Sequence, residues 1–318
     1  MHPPLPQCLF LAGPTAVGKS DVALILAEKL SGEIISVDSM QVYRGLDIGT
    51  AKPSLECRAR VPHHLIDVVE VTEPFDAAQF LRHAHEALAQ IVSRGRIPIL
   101  CGGTGLYFKA LLHGLGTAPP ADPVLRNQLE RLTTTELLRE LAETDPAGYE
   151  QIDSNNRRRV VRAIEIIRLS GKPFSLQRSD WRLAKTNDTV LSFAFTRSSD
   201  ELRRRIDSRV EEMFRLGLVA ETDELLKRGL AQNQTAMQAL GYRQVVEFLR
   251  DEHTLPETVE LVKARTRQFA RRQMTWFRHQ LPLTWLVLSP TDPTHSVAEQ
   301  ILTLWESFQR LPASRADS

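Results

Sequence analysis

Hydrophobic residues in the first hundred positions follow two patterns. Short apolar runs, typical of buried strands, alternate with longer segments that have helical periodicity. Segments 21–27 and 77–93 are predicted helices, and Asp76 is placed to cap the second. This alternation predicts a parallel sheet with helices on both faces. The predicted strands in this part are residues 9–12, 33–37, 64–69 and 96–101.

The rest of the chain has a mostly helical pattern. In segment 158–169 the apolar side chains share one helical face, and Arg158 and Arg162 lie on the opposite face. Strand character returns at residues 190–195 and 283–288. The other predicted helices are residues 200–216, 219–228, 236–250, 256–280 and 296–309.

Glycine and proline are too dense in segment 114–123 for a regular element, which indicates a domain boundary. From residue 123 to 185 we find helical patterns and no convincing strand, whereas strands precede and follow this stretch. We therefore predict an α/β core formed by residues 1–118 and 186–318. An all-helical insertion domain, residues 119–185, interrupts it.

A complete phosphate-loop motif, G-x-x-x-x-G-K-S, joins the first predicted strand to the first helix. Gly13 and Gly18 allow backbone angles that turn successive amide hydrogens toward an anion. The helix adds its free amides and the positive end of its dipole. Lys19 supplies a mobile charge, and Ser20 supplies a hydroxyl for a phosphate-bound Mg²⁺. The fold class is therefore α/β with a phosphate-loop NTPase-like parallel sheet. The predicted diphosphate-binding residues are Gly13, Pro14, Thr15, Ala16, Val17, Gly18, Lys19 and Ser20.

The amino-acid composition further limits the kind of protein that this chain can be. The 318 residues are 42% hydrophobic, enough for a sizeable core. No apolar run approaches the roughly 20 residues that span a bilayer, and the N-terminus lacks a signal-peptide pattern. The three cysteines are scattered, which argues against a disulfide framework or a cysteine metal site. We expect a cytoplasmic protein without a membrane partner.

Positive charge is concentrated in two segments, although the net charge of the chain is only +1. Segment 157–172 has six basic residues and one acidic residue, and segment 263–278 has six basic residues and no acidic residue. Lys263, Arg267, Arg271 and Arg278 fall on one helical stripe. A local excess of this size in a neutral protein favours contact with a polyanion over a merely solvated face.

Six motifs together resemble one family, the bacterial tRNA dimethylallyltransferases, also called tRNA isopentenyltransferases. They occur in family order and at family spacing between residues 9 and 278. The motifs are GPTAVGKS, ISVDSMQVYRGLDIGTAKP, GGTGLYFKALLHGL, RRVVRAIEI with SGKP, GYRQ and TRQFARRQMTWFR.

The resemblance implies transfer of a dimethylallyl group from dimethylallyl diphosphate to the exocyclic N6 amine of the adenosine beside the anticodon. The phosphate loop would then hold a prenyl diphosphate. Asp38, at a predicted strand end, suits the role of proton acceptor, although a magnesium ligand or a helix cap is the alternative. Thr15, Lys19 and Arg209 would stabilise the leaving diphosphate.

The resemblance also implies that the insertion domain contacts the anticodon stem-loop of tRNA. Mg²⁺ is the expected cofactor, held at Ser20 through the diphosphate, and we expect a monomer. The predicted tRNA-binding residues are Asp38, Ser39, Met40, Gln41, Thr104, Arg126, Arg158, Arg159, Arg162, Gly241, Tyr242, Arg243, Arg267, Arg271, Arg272 and Arg278.

Three other functions fit parts of this pattern. A small-molecule phosphate-loop kinase would share the loop but would leave both basic segments unexplained. An adenylate isopentenyltransferase would use a free nucleotide and would not need the arginines of the insertion. A nucleotide-switched RNA-binding protein would give Asp38 no role.

Overall fold

Six parallel strands form the centre of the protein. The computed structural model describes residues 5–116, 118–177 and 189–310. The sheet order is β3-β2-β4-β1-β5-β6, and every pairing is parallel. This confirms the predicted α/β class. The strands are β1 Cys8–Ala12, β2 Gly32–Val37, β3 His63–His64, β4 Ile97–Gly102, β5 Val190–Thr196 and β6 Thr284–Val287.

Helices fill most of the remaining described chain. Short 3₁₀ turns occur at Phe174–Leu176, Leu230–Gln232 and Ala236–Gln238. The helices are α1 Lys19–Lys29, α2 Leu55–Arg60, α3 Ala77–Ser93, α4 Gly105–His113, α5 Pro123–Leu129, α6 Thr134–Thr144, α7 Pro146–Gln151, α8 Arg157–Ser170, α9 Ser199–Arg215, α10 Leu218–Lys227, α11 Tyr242–Leu249, α12 Leu255–Gln280 and α13 Thr294–Gln309. None of these helices is both long and apolar enough to cross a membrane.

Strand β1 shows how the sheet is buried on both faces. All five of its residues are buried, and their side chains alternate between two cores. Phe10 packs with α3 and α4 residues on one face, and Leu9 and Leu11 pack with α1 and α13 residues on the other. Because successive side chains of a strand point to opposite faces, a fully apolar strand requires two covering layers.

The register brings four strand ends to one edge of the sheet. Ala12 lies beside Gly102 and Ala194, and Val37 also lies beside Gly102. The segments that follow β1, β2, β4 and β5 therefore leave the sheet together. Ligands bind at this edge in open parallel sheets, so the fold brings chemically active residues that are distant in sequence to one place.

The chain divides into two compact units. Among the described residues, the first comprises 5–112 and 189–310 and contains the sheet; the second comprises 113–116 and 118–177. In the described part of the second unit, all regular elements are helices, and Leu129, Leu137 and Ile164 belong to its own apolar core.

Two predicted elements were wrong in extent. Only the start of the predicted strand 64–69 joins the sheet, because Leu65 and Asp67 adopt φ values of 60° and 55° that interrupt an extended strand. Val69, at its end, forms an isolated parallel bridge with Tyr43. The predicted helix 236–250 is broken at Gly241, whose φ is 93°, into a 3₁₀ turn and α11. Local periodicity did not reveal either break.

Candidate active site

The phosphate loop connects β1 to α1 in a conformation that depends on two glycines. Gly13 has a φ of +147°, and a Cβ at this position would lie 2.9 Å from the carbonyl oxygen of Phe195. Gly18 is the N-cap of α1 with a φ of 106°. Ala16 has a positive φ of 62° without being glycine, and strain of this kind clusters at functional sites. The loop is therefore held in an unusual backbone conformation.

Lys19 folds back over this loop. Its Nζ donates a hydrogen bond of 2.7 Å to the carbonyl oxygen of Pro14. Burial lowers the pKa of Lys19 to about 8; the Arg209 charge also lowers it, whereas Cys101 and Asp38 act in the opposite direction. A bound anion would favour the ammonium form and reverse the shift.

Three arginines surround the phosphate loop. Arg205 Nε donates to the carbonyl oxygen of Ala16 at 2.7 Å, and Arg197 Nε donates to that of Val17 at 2.9 Å. Arg209 Nε is buried and has no hydrogen-bond partner within the described residues. Burial lowers the pKa of Arg209. A buried cation whose donor lacks a partner is costly, and an anionic ligand would relieve that cost.

Sequence reasoning found Arg209 but missed the other two arginines. Arg197 follows β5 directly, so the rule that ligands gather at strand ends would have indicated it. Arg205 precedes Arg209 by four residues on α9, which places both on one helical face.

Asp38 lies immediately after β2, at the same edge of the sheet. Its Oδ1 accepts hydrogen bonds from the backbone nitrogens of Met40 at 2.8 Å and Gln41 at 3.3 Å. The predicted alternative of a helix cap is wrong, because residues 39–42 form a turn and no helix begins there. Both of these bonds end on Oδ1, and no described residue donates to Oδ2. One oxygen fixes the carboxylate, and the other is left for a ligand.

The residues that follow Asp38 form a braced turn. Thr104 Oγ1 accepts a hydrogen bond from the Ser39 nitrogen at 3.1 Å. The side chain of Gln41 accepts from Ser36 Oγ at 2.8 Å and donates to the Thr50 carbonyl oxygen at 3.2 Å. These contacts hold the position of Asp38 relative to the segment after β4.

Two cavities of the first unit meet at the phosphate loop. One has a volume of about 400 Å³ and contains Asp38, Thr15 and Thr104 in its wall. The other, of about 680 Å³, extends along α9 past Arg205. Because both cavities share wall residues, a ligand in one lies next to a ligand in the other. The shared residues are Lys19, Ser20, Ala51 and Arg209.

Helix α12 completes the smaller cavity, with Phe269 and Arg272 in its wall. Gln273, on the same helix, accepts a hydrogen bond from the backbone nitrogen of Thr15 at 3.0 Å and donates one to the carbonyl oxygen of Gly103 at 2.9 Å. Sequence reasoning missed this glutamine, although it lies inside the TRQFARRQMTWFR motif.

The basic stripe predicted on α12 is divided in the structure. Lys263 is buried between Glu211 and Glu260, with N–O distances of 2.7 and 2.8 Å, and Arg267 pairs with Asp207 at 2.9 Å. Other predicted RNA contacts on this helix are exposed, namely Arg271, Arg272 and Arg278. Acidic residues from α9 therefore neutralise the first half of the stripe.

Charge in the second unit is divided in a similar way. Glu165 is fully buried on α8, and its Oε2 lies 2.6 Å from nitrogens of both Arg126 and Arg162. Arg158 and Arg159, at the start of the same helix, are exposed. Arg158 and Arg159 are therefore better placed to contact a large polyanion than Arg126 and Arg162.

The GYRQ motif has a structural role that the sequence did not indicate. Tyr242, predicted as a tRNA contact, is fully buried, which corrects that prediction. Its hydroxyl donates to Glu221 at 2.6 Å and accepts from the Gly49 nitrogen at 3.0 Å. Gly241 is buried as well, whereas Arg243 is exposed and pairs with Glu247 at 3.0 Å.

The sheet order, the loop at the end of β1 and the cationic residues around it define an enzyme of the phosphate-loop NTPase fold class. The model of the IPP transferase family matches residues 41–280. A tRNA dimethylallyltransferase 1 from Trichlorobacter lovleyi is 46% identical and covers 92% of this chain and 98% of the relative. A tRNA dimethylallyltransferase from Geobacter sulfurreducens is 44% identical, covering 88% and 91%. The chain belongs to the IPP transferase family.

Solved structures agree with this assignment. The tRNA isopentenylpyrophosphate transferase from Bacillus halodurans superposes with a TM-score of 0.68 at 37% identity, covering 96% of this chain and 98% of that one. A eukaryotic dimethylallyltransferase acting on tRNA gives a TM-score of 0.81 at 26% identity, covering 98% and 81%. The family resemblance and the prenyltransferase class predicted from the motifs are confirmed.

Proposed function

We propose that this protein transfers a dimethylallyl group from dimethylallyl diphosphate to the N6 amine of the adenosine 3′-adjacent to the anticodon in tRNA, releasing diphosphate. The observation that carries the proposal is that Asp38, Lys19 and Arg209 line one cavity. A carboxylate for the amine and two cations for the diphosphate are the groups that this reaction requires.

The phosphate loop binds the diphosphate of the donor. Lys19 leaves the Pro14 carbonyl for a phosphate oxygen, and Arg209 Nε, which has no acceptor among the described residues, donates to another. Negative charge grows on the diphosphate as its bond to the allylic carbon breaks. Cations held in place beforehand stabilise this charge without reorganising, which lowers the barrier.

Asp38 accepts the proton. As the N6 lone pair forms a bond to C1 of the dimethylallyl group, the C1–O bond breaks and its electron pair leaves with the diphosphate. One N6 proton passes to the Asp38 carboxylate. A general base of this kind contributes about 10²–10⁴-fold, and it matters here because the adenine amine is a weak nucleophile.

Mg²⁺ fits the oxygen donors present at the start of α1. The Ser20 hydroxyl borders both cavities, but the described residues contain no group of three or more potential metal-ligating side chains. Mg²⁺ commonly binds through one or two protein oxygens together with substrate phosphates and water. When bound at Ser20, it would add positive charge beside the diphosphate.

The exposed arginines of α12 and α8 provide phosphate contacts for the anticodon stem-loop. Arg271, Arg272 and Arg278 serve on α12, and Arg158 and Arg159 serve on α8. The target adenosine must leave its stack to reach Asp38, at a cost of a few kcal/mol. We also propose that the enzyme acts as a monomer, and the tRNA substrate implies a cytoplasmic enzyme.

Labelled dimethylallyl diphosphate tests the proposal. We expect label on an anticodon stem-loop RNA with an unpaired target adenosine, and none on AMP or on the same RNA paired into a continuous duplex. Label on AMP alone would identify an adenylate isopentenyltransferase. ATP-dependent phosphorylation of a small molecule without prenyl transfer would identify a kinase.

A further inference from the structure

Gln273 joins the two loops that form the candidate active site. Its side-chain oxygen accepts from the Thr15 nitrogen, in the middle of the phosphate loop. Its side-chain nitrogen donates to the carbonyl oxygen of Gly103, in the segment after β4. Only 8% of this residue is exposed. A single buried amide therefore bridges the end of β1 and the end of β4.

The two contacts require a side chain that can accept one hydrogen bond and donate another, as an amide does. One neighbour is an N–H that needs an acceptor, and the other is a carbonyl that needs a donor, so a carboxylate, a hydrocarbon or an ammonium satisfies at most one of them. A Cβ on Gly103 would collide with the Gln273 amide, so this approach also depends on glycine. The contact between Gln273 and Gly103 therefore depends on the chemistry of both residues.

The bridge extends to the predicted proton acceptor. Thr104 follows Gly103, and its hydroxyl holds the backbone of Ser39, the residue after Asp38. The phosphate loop, Gln273, Gly103, Thr104 and Asp38 are thus connected through hydrogen bonds and adjacent residues. A shift of the phosphate loop relative to Asp38 would require this connection to break.

We propose that Gln273 is a positioning residue for prenyl transfer: it sets the distance between the donor diphosphate and the adenosine amine. This inference rests on the proposed function. Gln273 lies in the wall of the same cavity, and it acts through its hydrogen bonds to Thr15 and Gly103. Loss of the bridge should slow transfer at saturating substrates more than it weakens binding, because misplacement of reactants lowers the rate of the chemical step.

Two substitutions test the role. Gln273→Met keeps the length of the side chain and removes both hydrogen bonds, and we expect a loss of about 10- to 100-fold in single-turnover rate with less than a threefold change in donor affinity. Gln268→Met, an exposed glutamine on the same helix, is the matched control and should retain the rate of the unchanged enzyme. Thermal unfolding of both variants reports folding.

Gln273→Glu adds a readout that a packing role would not produce. The ionised carboxylate can accept from Thr15 but repels the Gly103 carbonyl, whereas the protonated carboxyl accepts from one and donates to the other. The rate of this variant divided by the rate of the unchanged enzyme should therefore rise as pH falls from 8 to 5.5. The same ratio for Gln273→Met should stay flat.

The ratio corrects for groups that titrate in both proteins. The titratable side chains in the wall of this cavity are Asp38, Lys19, Cys101, Arg209 and Arg272. A flat ratio for Gln273→Glu, or a Gln273→Met rate within threefold of the unchanged enzyme, would overturn the positioning role. Absence of prenyl transfer by the unchanged enzyme would instead count against the proposed function.

Discussion

The lowered pKa of Lys19 predicts how catalysis responds to alkaline pH. In the free protein, burial lowers this pKa to about 8, and the group must be protonated to hold a diphosphate. With a pKa of about 8, Lys19 is about nine-tenths protonated at pH 7 and about one-tenth protonated at pH 9. We therefore expect kcat/KM for dimethylallyl diphosphate to fall about tenfold between these pH values.

Proton linkage determines both the direction of this pH effect and the kinetic parameter in which it appears. The active form is the ammonium, so activity is present below the folded-state pKa and is lost above it. A bound diphosphate raises the pKa again, because an adjacent negative charge favours the ammonium. The loss should appear in kcat/KM, which reports the free enzyme, and should move to higher pH in kcat. Initial rates at limiting donor and saturating tRNA measure the first parameter.

Lys19→Arg provides the decisive comparison, since a guanidinium stays charged throughout this range. Whatever its absolute rate, this variant should show no alkaline loss of kcat/KM near pH 8. Lys29→Arg makes the same change at an exposed position of α1 and should keep the original profile. Burial raises the pKa of Cys101 to about 11, so its titration lies outside the window. A flat profile for the unchanged enzyme, or an unchanged loss in Lys19→Arg, would refute the reasoning.

Three further outcomes are expected. Asp38→Asn should slow single-turnover transfer by about 10²–10⁴-fold with little change in substrate affinity; recovery upon magnesium titration would assign Asp38 to the metal instead. Arg271→Gln should reduce the slope of log affinity for tRNA against log salt by about one. Arg267→Gln breaks the pair with Asp207, so it should change this slope less and lower the thermal midpoint more. Equal slopes for the two variants would contradict the division of the basic stripe. Tyr242→Phe should lower the free energy of unfolding in urea by about 1–3 kcal/mol while tRNA affinity stays unchanged, and a selective loss of affinity would restore a contact role.

Short-range features were predictable from the sequence because their causes are local. The phosphate loop is eight contiguous residues, and the unusual backbone angles of Gly13 and Gly18 were predicted from this motif. Helix α3 begins after Asp76 as predicted, since the capping carboxylate and the amides that it accepts from are two and three residues apart. The grouping of Asp38 and Thr104 with the loop followed from a general property of parallel sheets.

Only the tertiary structure decided which charges and amides act together. Arg267 meets Asp207 across 60 residues, and Gln273 meets Thr15 across 258. A charge count along one helix cannot reveal an acidic partner on another helix, so the sequence overestimated the free positive charge of α12. The same limit explains Tyr242, whose burial depends on α10 and on the loop that contains Gly49. Periodicity specifies elements and their apolar faces, whereas the pairing of polar side chains depends on how those elements pack.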